Sequence, residues 1–510
     1  MILRFANLLL VGSLILLITA CQPVDGEVIN DPPRVVRGKQ LAGQYCGNCH
    51  LVPSPADLPR RIWATEVMPL MGAFHGIYTT TPREELLGTP EEANYLAQVF
   101  PTERLIDSTD WAGLLSYYIE EAPNKLPEAE QTTVLRRMDQ FTVVPAHTSD
   151  LTDMANFTTM LLYDPTEKLI WTGGKYKGKG RLVGFNALRH KDVIRKDLSS
   201  PPTALLTNRF AVLQIGSLEP YDAPAGTLLR DTKSGDTLST DSLLRPLDLV
   251  SIDLDLDGQS ETVIAEYGNH HGRLGSYAKQ GQLTVLSPTA GALRLKKADL
   301  DGDGNVDLLV LFAQGDERIE VYYARKGGPE RRRLYRFPST YGSSDMEVVD
   351  FDGDGDLDIL TTNGDNFDYQ PVAKPYHGIR LLENDGAANF TEAWFYPLDG
   401  AYGLEVDDFD GDGDQDIAAI AYFVPVAKRT LRSFVYLEQY DALRFHAFGF
   451  EKDPSHFYLC MAKGDTDGDG DQDLLLGNYG GYLPDGGRAV RSRNGAPSPA
   501  YLHLENKAVD

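Results

Sequence analysis

Two thiols and an imidazole stand together at Cys46-Gly47-Asn48-Cys49-His50. A CxxCH run is the attachment signature of c-type haem. Thiols three positions apart at a helix end reach the two vinyl groups of one porphyrin, and the adjacent His turns its imidazole to the iron. A redox CxxC or half a zinc site would use the same thiols, but no second CxxC follows, and Cys460 is the one cysteine further downstream. A thioether is the usual partner of His in electron-transfer cytochromes and raises the potential. Met68 and Met71 both lie in the segment WATEVMPLMG, residues 63–72, with His75 as a third candidate. A methionine that is not a ligand is a packing residue.

A second chemistry recurs five times. The residues are Asp253, Asp255, Asp257, Gln259 and Glu261; Asp299, Asp301, Asp303, Asn305 and Asp307; Asp350, Asp352, Asp354, Asp356 and Asp358; Asp408, Asp410, Asp412, Asp414 and Asp416; Asp465, Asp467, Asp469, Asp471 and Asp473. Alternate side chains at positions 1, 3 and 5 turn hard oxygens onto one centre. Position 7 offers a carbonyl, position 9 closes the shell, and Gly at 4 or 6 permits the tight turn. Without a cation these carboxylates repel, so about five Ca²⁺ are expected. An EF-hand needs Glu at position 12, where this chain has Ile264, Val310, Thr361, Ala419 and Leu476. The loops hold 23 of the 74 acidic residues, and five Ca²⁺ would move the net charge from −26 to −16. Much of the acidity is thus a metal requirement. A chain this acidic is no nucleic-acid binder, since phosphates need a basic face.

The Asp loops start 46, 51, 58 and 57 residues apart, and periods near 50 mean a propeller or an array. Each loop runs into a β-rich stretch, at 263–266, 308–312, 359–362, 417–422 and 474–476, the rhythm of a four-stranded blade. Residues 138–249 lack Asp loops but keep strand-like runs at 158–164, 169–174, 181–188 and 211–218, enough for two more blades and seven in all. The last blade runs out one strand short at 500–506. Residues 140–144 can fill the gap and close the ring, which removes exposed edges. These loops resemble the FG-GAP or VCBS repeats of integrin-type β-propellers, well over 250–510 and more weakly upstream. The loops after the second strands, at 266–277, 362–378, 421–430 and 477–493, are long and rich in Tyr, Asn, His and Arg. Function concentrates on such loops. If they share one face, His270, His271, Asp365, His377 and Arg429 form a polar, potentially catalytic pocket over the axis. If not, they are ordinary turns.

Ahead of the propeller, residues 34–125 read as a small all-α domain. Residues 34–46 have helical composition, with Val36, Leu41 and Tyr45 able to face a haem. Trp111, Leu114, Leu115 and Tyr118 make one apolar stripe over 109–121, ended before Pro123. The stretch CxxCHxxPxPxxLP…W…VxPxMG resembles a cytochrome domain fused to bacterial propellers. In that pattern the methionine before glycine is the ligand, which implies Met71. The last helix resembles the C-terminal helix of cytochrome c, which packs across the first.

Residues 1–20 read as a signal peptide: Arg4 precedes an uncharged apolar run over 5–20. Ile18-Thr19-Ala20-Cys21 resembles the lipobox of bacterial lipoproteins, which implies diacylation of Cys21. An uncleaved anchor is the alternative, and both place the body outside the cytoplasm on a membrane. Residues 21–33 then form a tether and 126–137 a linker to the propeller of 138–510. The expected architecture is a cytochrome c-like domain followed by an all-β seven-bladed propeller with calcium loops. Its expected function is membrane-anchored electron transfer, with a redox protein or quinol chain as partner. Two alternatives accompany it: an oxidoreductase acting on a small sugar or alcohol with haem as acceptor, and an adhesion module holding a glycan or protein. A deep polar pocket beside the haem would favour the enzyme.

Overall fold

The computed structural model describes residues 32–128, 135–144, 157–189, 191–231, 237–279, 281–365, 372–423, 433–450, 457–479 and 499–508. The signal and lipobox residues, Cys21 included, lie outside this set, as does Arg429. No described helix is long and apolar enough to cross a membrane.

The N-terminal unit is helical. Its first helix, Pro33–Tyr45, opens on Pro, whose missing N–H costs nothing in a first turn. It crosses the last helix, Ser108–Glu121, at Gly38, where a Cβ would lie 2.4 Å from Cβ of Tyr117. Only glycine permits that approach. Leu41, Trp63, Met68, Trp111, Leu114 and Tyr118 share one buried core. The indole N–H of Trp63 donates to the Pro55 carbonyl at 2.9 Å and the Tyr118 hydroxyl to that of Pro53 at 3.1 Å, so the polar ends of both rings are satisfied. Between them runs a segment whose middle, Trp63–Val67, is a π turn leading into the helix Met68–Phe74. Pro69 lacks an N–H, and the turn before it widens.

The rest of the described chain is a ring of seven antiparallel sheets. The inner strands, blades one to seven, are Thr158–Asp164, Pro202–Leu206, Pro246–Ile252, Ala292–Ala298, Ser343–Val349, Ala401–Asp407 and Tyr458–Gly464. Second strands such as Asp307–Phe312, Asp416–Ala421 and Asp473–Asn478 are buried at every residue. Neighbouring blades cover both their faces, so they read as continuous apolar runs. The Asp loops connect first to second strands in blades three to seven.

Ring closure follows the expectation. Phe141–Val144 pairs antiparallel with Tyr501–Asn506, Phe141 opposite Asn506, and completes blade seven. The propeller sheets begin slightly earlier than expected. Arg136–Arg137, inside the anticipated linker, adds a parallel fifth strand to blade six against Phe448 and Gly449.

Candidate functional site

A cavity of ≈ 670 Å³ lies between the helical unit and the propeller's loop face. Cys46, Cys49, His50, Met68, Met71, Trp63 and Tyr118 line it from one side; Tyr267, Asn269, Gln314, Arg318, Asp365 and Lys374 line it from the other. Both cysteines are free thiols. Burial, and secondarily the neighbouring Cys49, push the Cys46 thiol up to about 11. His50 has its Nδ1 2.9 Å from the Leu51 carbonyl. That contact sets the tautomer with Nδ1–H donating, and leaves the Nε2 lone pair for a metal. Met68 and Met71 lie one turn apart. Met68 is 2% exposed in the core, whereas Met71 is partly buried against it. His75 does not line the cavity. It stands edge-on to Tyr45, 6.0 Å between ring centroids, and burial lowers its pKa. Two thiols, an imidazole with a free nitrogen, a thioether and aromatic walls are the donor set that c-type haem requires, and the volume falls in the ~300–1,000 Å³ range of cofactor sites. The residues therefore fit the group.

The expected haem-facing set on the first helix is corrected. Val36 is 43% exposed, Leu41 is in the core, and neither lines the cavity. The last helix claims the apolar side of the first. Tyr45 turns its hydroxyl to Asp110 at 2.8 Å.

The loop-face residues divide by role. Burial favours the protonated form of Asp222, but His270 and backbone donors outweigh it and hold the carboxyl below its usual range. The His270 and His271 N–H groups donate to Asp222 Oδ1 at 2.6 and 2.7 Å, and His270 Nδ1 lies 3.2 Å from Oδ2. The His270 ring packs against Phe74 and Phe100, and His271 stacks on Tyr95 at 5.1 Å. Glu92 caps its own helix at Thr89 and accepts the Asp222 N–H at 3.2 Å, while the Tyr376 hydroxyl donates to the Asp57 carbonyl at 2.6 Å. Both histidines therefore dock the helical unit, and His270 also lines the first cavity, whereas His271 lines neither. His377 is corrected as well. It is 1% exposed, lines neither cavity, and its Nε2 has no partner among the described residues. Burial, then Lys374 and Arg380, keep it neutral by lowering its pKa well below the usual value. Asp365 is the one expected pocket residue that lines both cavities.

A second cavity of ≈ 450 Å³ follows the ring axis. Each inner strand shifts register after its first residue, as at Pro246/Asp248, Ala292/Arg294, Ser343/Asp345 and Tyr458/Cys460. The shift stacks equivalent residues of different blades into tiers: Asp248, Arg294, Asp345 and Cys460, then two residues on, Lys296, Glu347 and Glu405. Arg294 Nε donates to Asp345 at 2.8 Å and Lys296 Nζ to Glu347 at 2.5 Å. The channel shares Pro220, Tyr267, Asn269, Gln314 and Asp365 with the first cavity. Burial pushes the Cys460 thiol up to about 12, so it stays protonated and inert.

Glu405 accepts no hydrogen bond among the described residues. Burial, then the Glu347 charge, raise its carboxyl well above the usual range. A raised folded pKa contributes stability below the unfolded pKa and loses it as pH climbs through the folded value. Glu405→Gln should therefore melt several degrees above wild type at pH 9, with the gap closing by pH 5. Parallel melting curves across that range would refute the raised carboxyl.

In the Asp loops, carboxylate oxygens converge within 4.8 Å as Asp253, Asp255 and Glu261; Asp299, Asp301 and Asp303; Asp350, Asp352 and Asp358; Asp408, Asp410 and Asp412; Asp465, Asp467 and Asp469. Asp257, Gln259, Asn305, Asp307, Asp354, Asp356, Asp414, Asp416, Asp471 and Asp473 stand outside these triads. Gly304, at position 6, takes φ +86°. Position 9 has a second use that the sequence did not signal. Its carboxylate accepts the N–H of position 2 in every loop: Glu261 from Leu254, Asp307 from Leu300, Asp358 from Phe351, Asp416 from Phe409, Asp473 from Thr466. In the last four loops its other oxygen accepts from the third strand of the blade, at Ala324, Asn384, Gln439 and Asn506, 2.8–2.9 Å away.

Fold and loops together define a seven-bladed β-propeller with FG-GAP-like character: residues 299–361 match the FG-GAP-like repeat. That span runs from the Asp loop of blade four into the second strand of blade five. No curated protein matches the chain. Among solved structures, a Lactobacillus plantarum protein is similar at 11% identity and a TM-score of 0.40, over 58% of this chain and 86% of its own. The periplasmic gluconolactonase PpgL of Pseudomonas aeruginosa is similar at 13% and 0.39, over 57% and 85%. The likeness is distant.

Proposed function

We propose that the chain is an extracytoplasmic haem c redox protein, lipid-anchored at Cys21, whose calcium-stabilised propeller covers the haem crevice. The carrying observation is the cavity in which CxxCH and two methionines face the propeller's loops. Cys46 and Cys49 would hold haem covalently, and His50 and Met71 would ligate its iron. Bound there, haem c supplies a one-electron couple. Trp63, Phe74 and Tyr118 exclude water from the helical wall. Lys374 and Arg318 bring positive charge to the propeller wall, and the Tyr376 and Glu92 contacts hold that wall in place. The Asp loops would each hold one Ca²⁺.

A specific observation favours the oxidoreductase reading over the adhesion module. The polar axial channel and the CxxCH cavity share five residues, so a small molecule on the axis would sit beside the cofactor. A reduced-minus-oxidised spectrum of the purified chain, repeated with sugars and alcohols as sole reductant, tests both readings. A c-type spectrum is expected. Its absence from protein made with haem-attachment machinery overturns the redox function; a spectrum that no substrate reduces leaves the carrier and removes the enzyme.

A further inference from the structure

The axial channel is an amphiphilic tube. Blades one and two give it an apolar wall at Met160, Leu162 and Ala204, while blades three to six give it most of its charge, with Glu219 of blade two at the edge. Six carboxylates line it against three cations. The three cations are already engaged: Arg294 with Asp345, Lys296 with Glu347, and Arg245 with the carbonyls of Gly268 and Leu218. Asp248 accepts the backbone N–H groups of Leu249 and Leu295. Glu405 is left without a donor. An enclosed carboxylate in that position is costly unless a proton or a cation offsets it.

Three residues along the same strand, about 10 Å away, Tyr402 borders the channel together with Tyr422 and Phe423, which follow the neighbouring strand. The three rings meet at 54°, 59° and 89°, leaving faces turned in different directions. A carboxylate with no hydrogen-bond donor, whose neighbouring cations Lys296 and Lys463 are paired with Glu347 and Asp407, a ring cluster one short alkyl chain away, and an apolar opposite wall specify a ligand with a positive head and a greasy tail. The volume of ≈ 450 Å³ suits a small molecule.

We propose that the axial channel binds a small amphiphilic amine, its ammonium paired with Glu405 and its alkyl chain lying between the Tyr402 cluster and the Met160 wall. The ammonium supplies the counter-charge that a proton otherwise supplies. The inference goes beyond the redox reading and does not rest on it.

The test is calorimetric titration of the full, calcium-replete chain with n-hexylammonium, 1-hexanol, hexanoate and glucose. Hexylammonium should bind. Hexanol, its uncharged equivalent, should bind at least tenfold more weakly, and hexanoate and glucose not at all. Glu405→Gln should lose at least tenfold in hexylammonium affinity while Glu405→Asp, which keeps the charge, retains most of it; matched melting temperatures of the two variants separate lost affinity from lost fold. Equal binding of hexanol and hexylammonium, preference for glucose, no binding of any probe, or an unchanged Glu405→Gln would each overturn the proposal.

Discussion

Ser at both Cys46 and Cys49 should yield an exported chain that carries no covalent haem and shows no c-type spectrum, while the propeller still folds. Covalent attachment needs both thiols at this spacing, and neither residue belongs to the helical core, which is built from Leu41, Trp63, Trp111, Leu114 and Tyr118. The two methionines should separate by kind of effect. Met71→Ala keeps the attached haem but loses the thioether. The midpoint potential then falls by on the order of 100 mV, within the range that axial ligands command. Met68→Ala should cost ~2–5 kcal/mol of stability, because Met68 is fully packed, with the potential little moved. Redox titration and thermal melting of the two variants decide the assignment, and the reverse pattern would hand ligation to Met68. A double serine variant that retains covalent haem would end the redox reading.

What could be read from the sequence was local chemistry. The CxxCH spacing gathers two thiols and an imidazole within five residues, and each Asp loop gathers its carboxylates within nine. Seven blades could be counted because buried second strands leave continuous apolar runs, and the closing strand at Phe141 could be inferred because blade seven was visibly one strand short. The misses share a cause. Whether Val36 or Val35 is buried depends on which side of the first helix the last helix takes, and helical period does not say. His271 looked like a site residue because Tyr95, on which it stacks, lies more than 150 residues away, and the docking of His270 on Phe74 and Phe100, beside its place in the cavity wall, was hidden for the same reason. The axial tiers were invisible for the same reason. Asp248, Arg294 and Asp345 sit on three different strands, some 50 residues apart, and a small register shift in every blade is what stacks them.

Chelation of divalent cations should lower the melting temperature by ~15 °C, with calcium restoring it and elemental analysis finding about five Ca²⁺ per chain. A site occupied at a hundred times its dissociation constant contributes about 2.7 kcal/mol; five such sites against the melting entropy of a ring this size give a shift of that order. The loop geometry predicts a sharper contrast within one loop. Asp352 belongs to the converging triad of blade five and has no further tie to the sheet. Asp358 belongs to the same triad but also accepts the Phe351 and Asn384 N–H groups. Asp352→Asn should therefore destabilise only when calcium is present, its melting curve merging with wild type under chelation. Asp358→Asn should remain destabilised by ~1–3 kcal/mol under chelation as well, because one buried N–H loses its acceptor. A chain that melts identically with and without chelator contains no such ions. If instead both variants merge with wild type once calcium is stripped, position 9 is a ligand alone, and the brace between loop and third strand contributes nothing of its own.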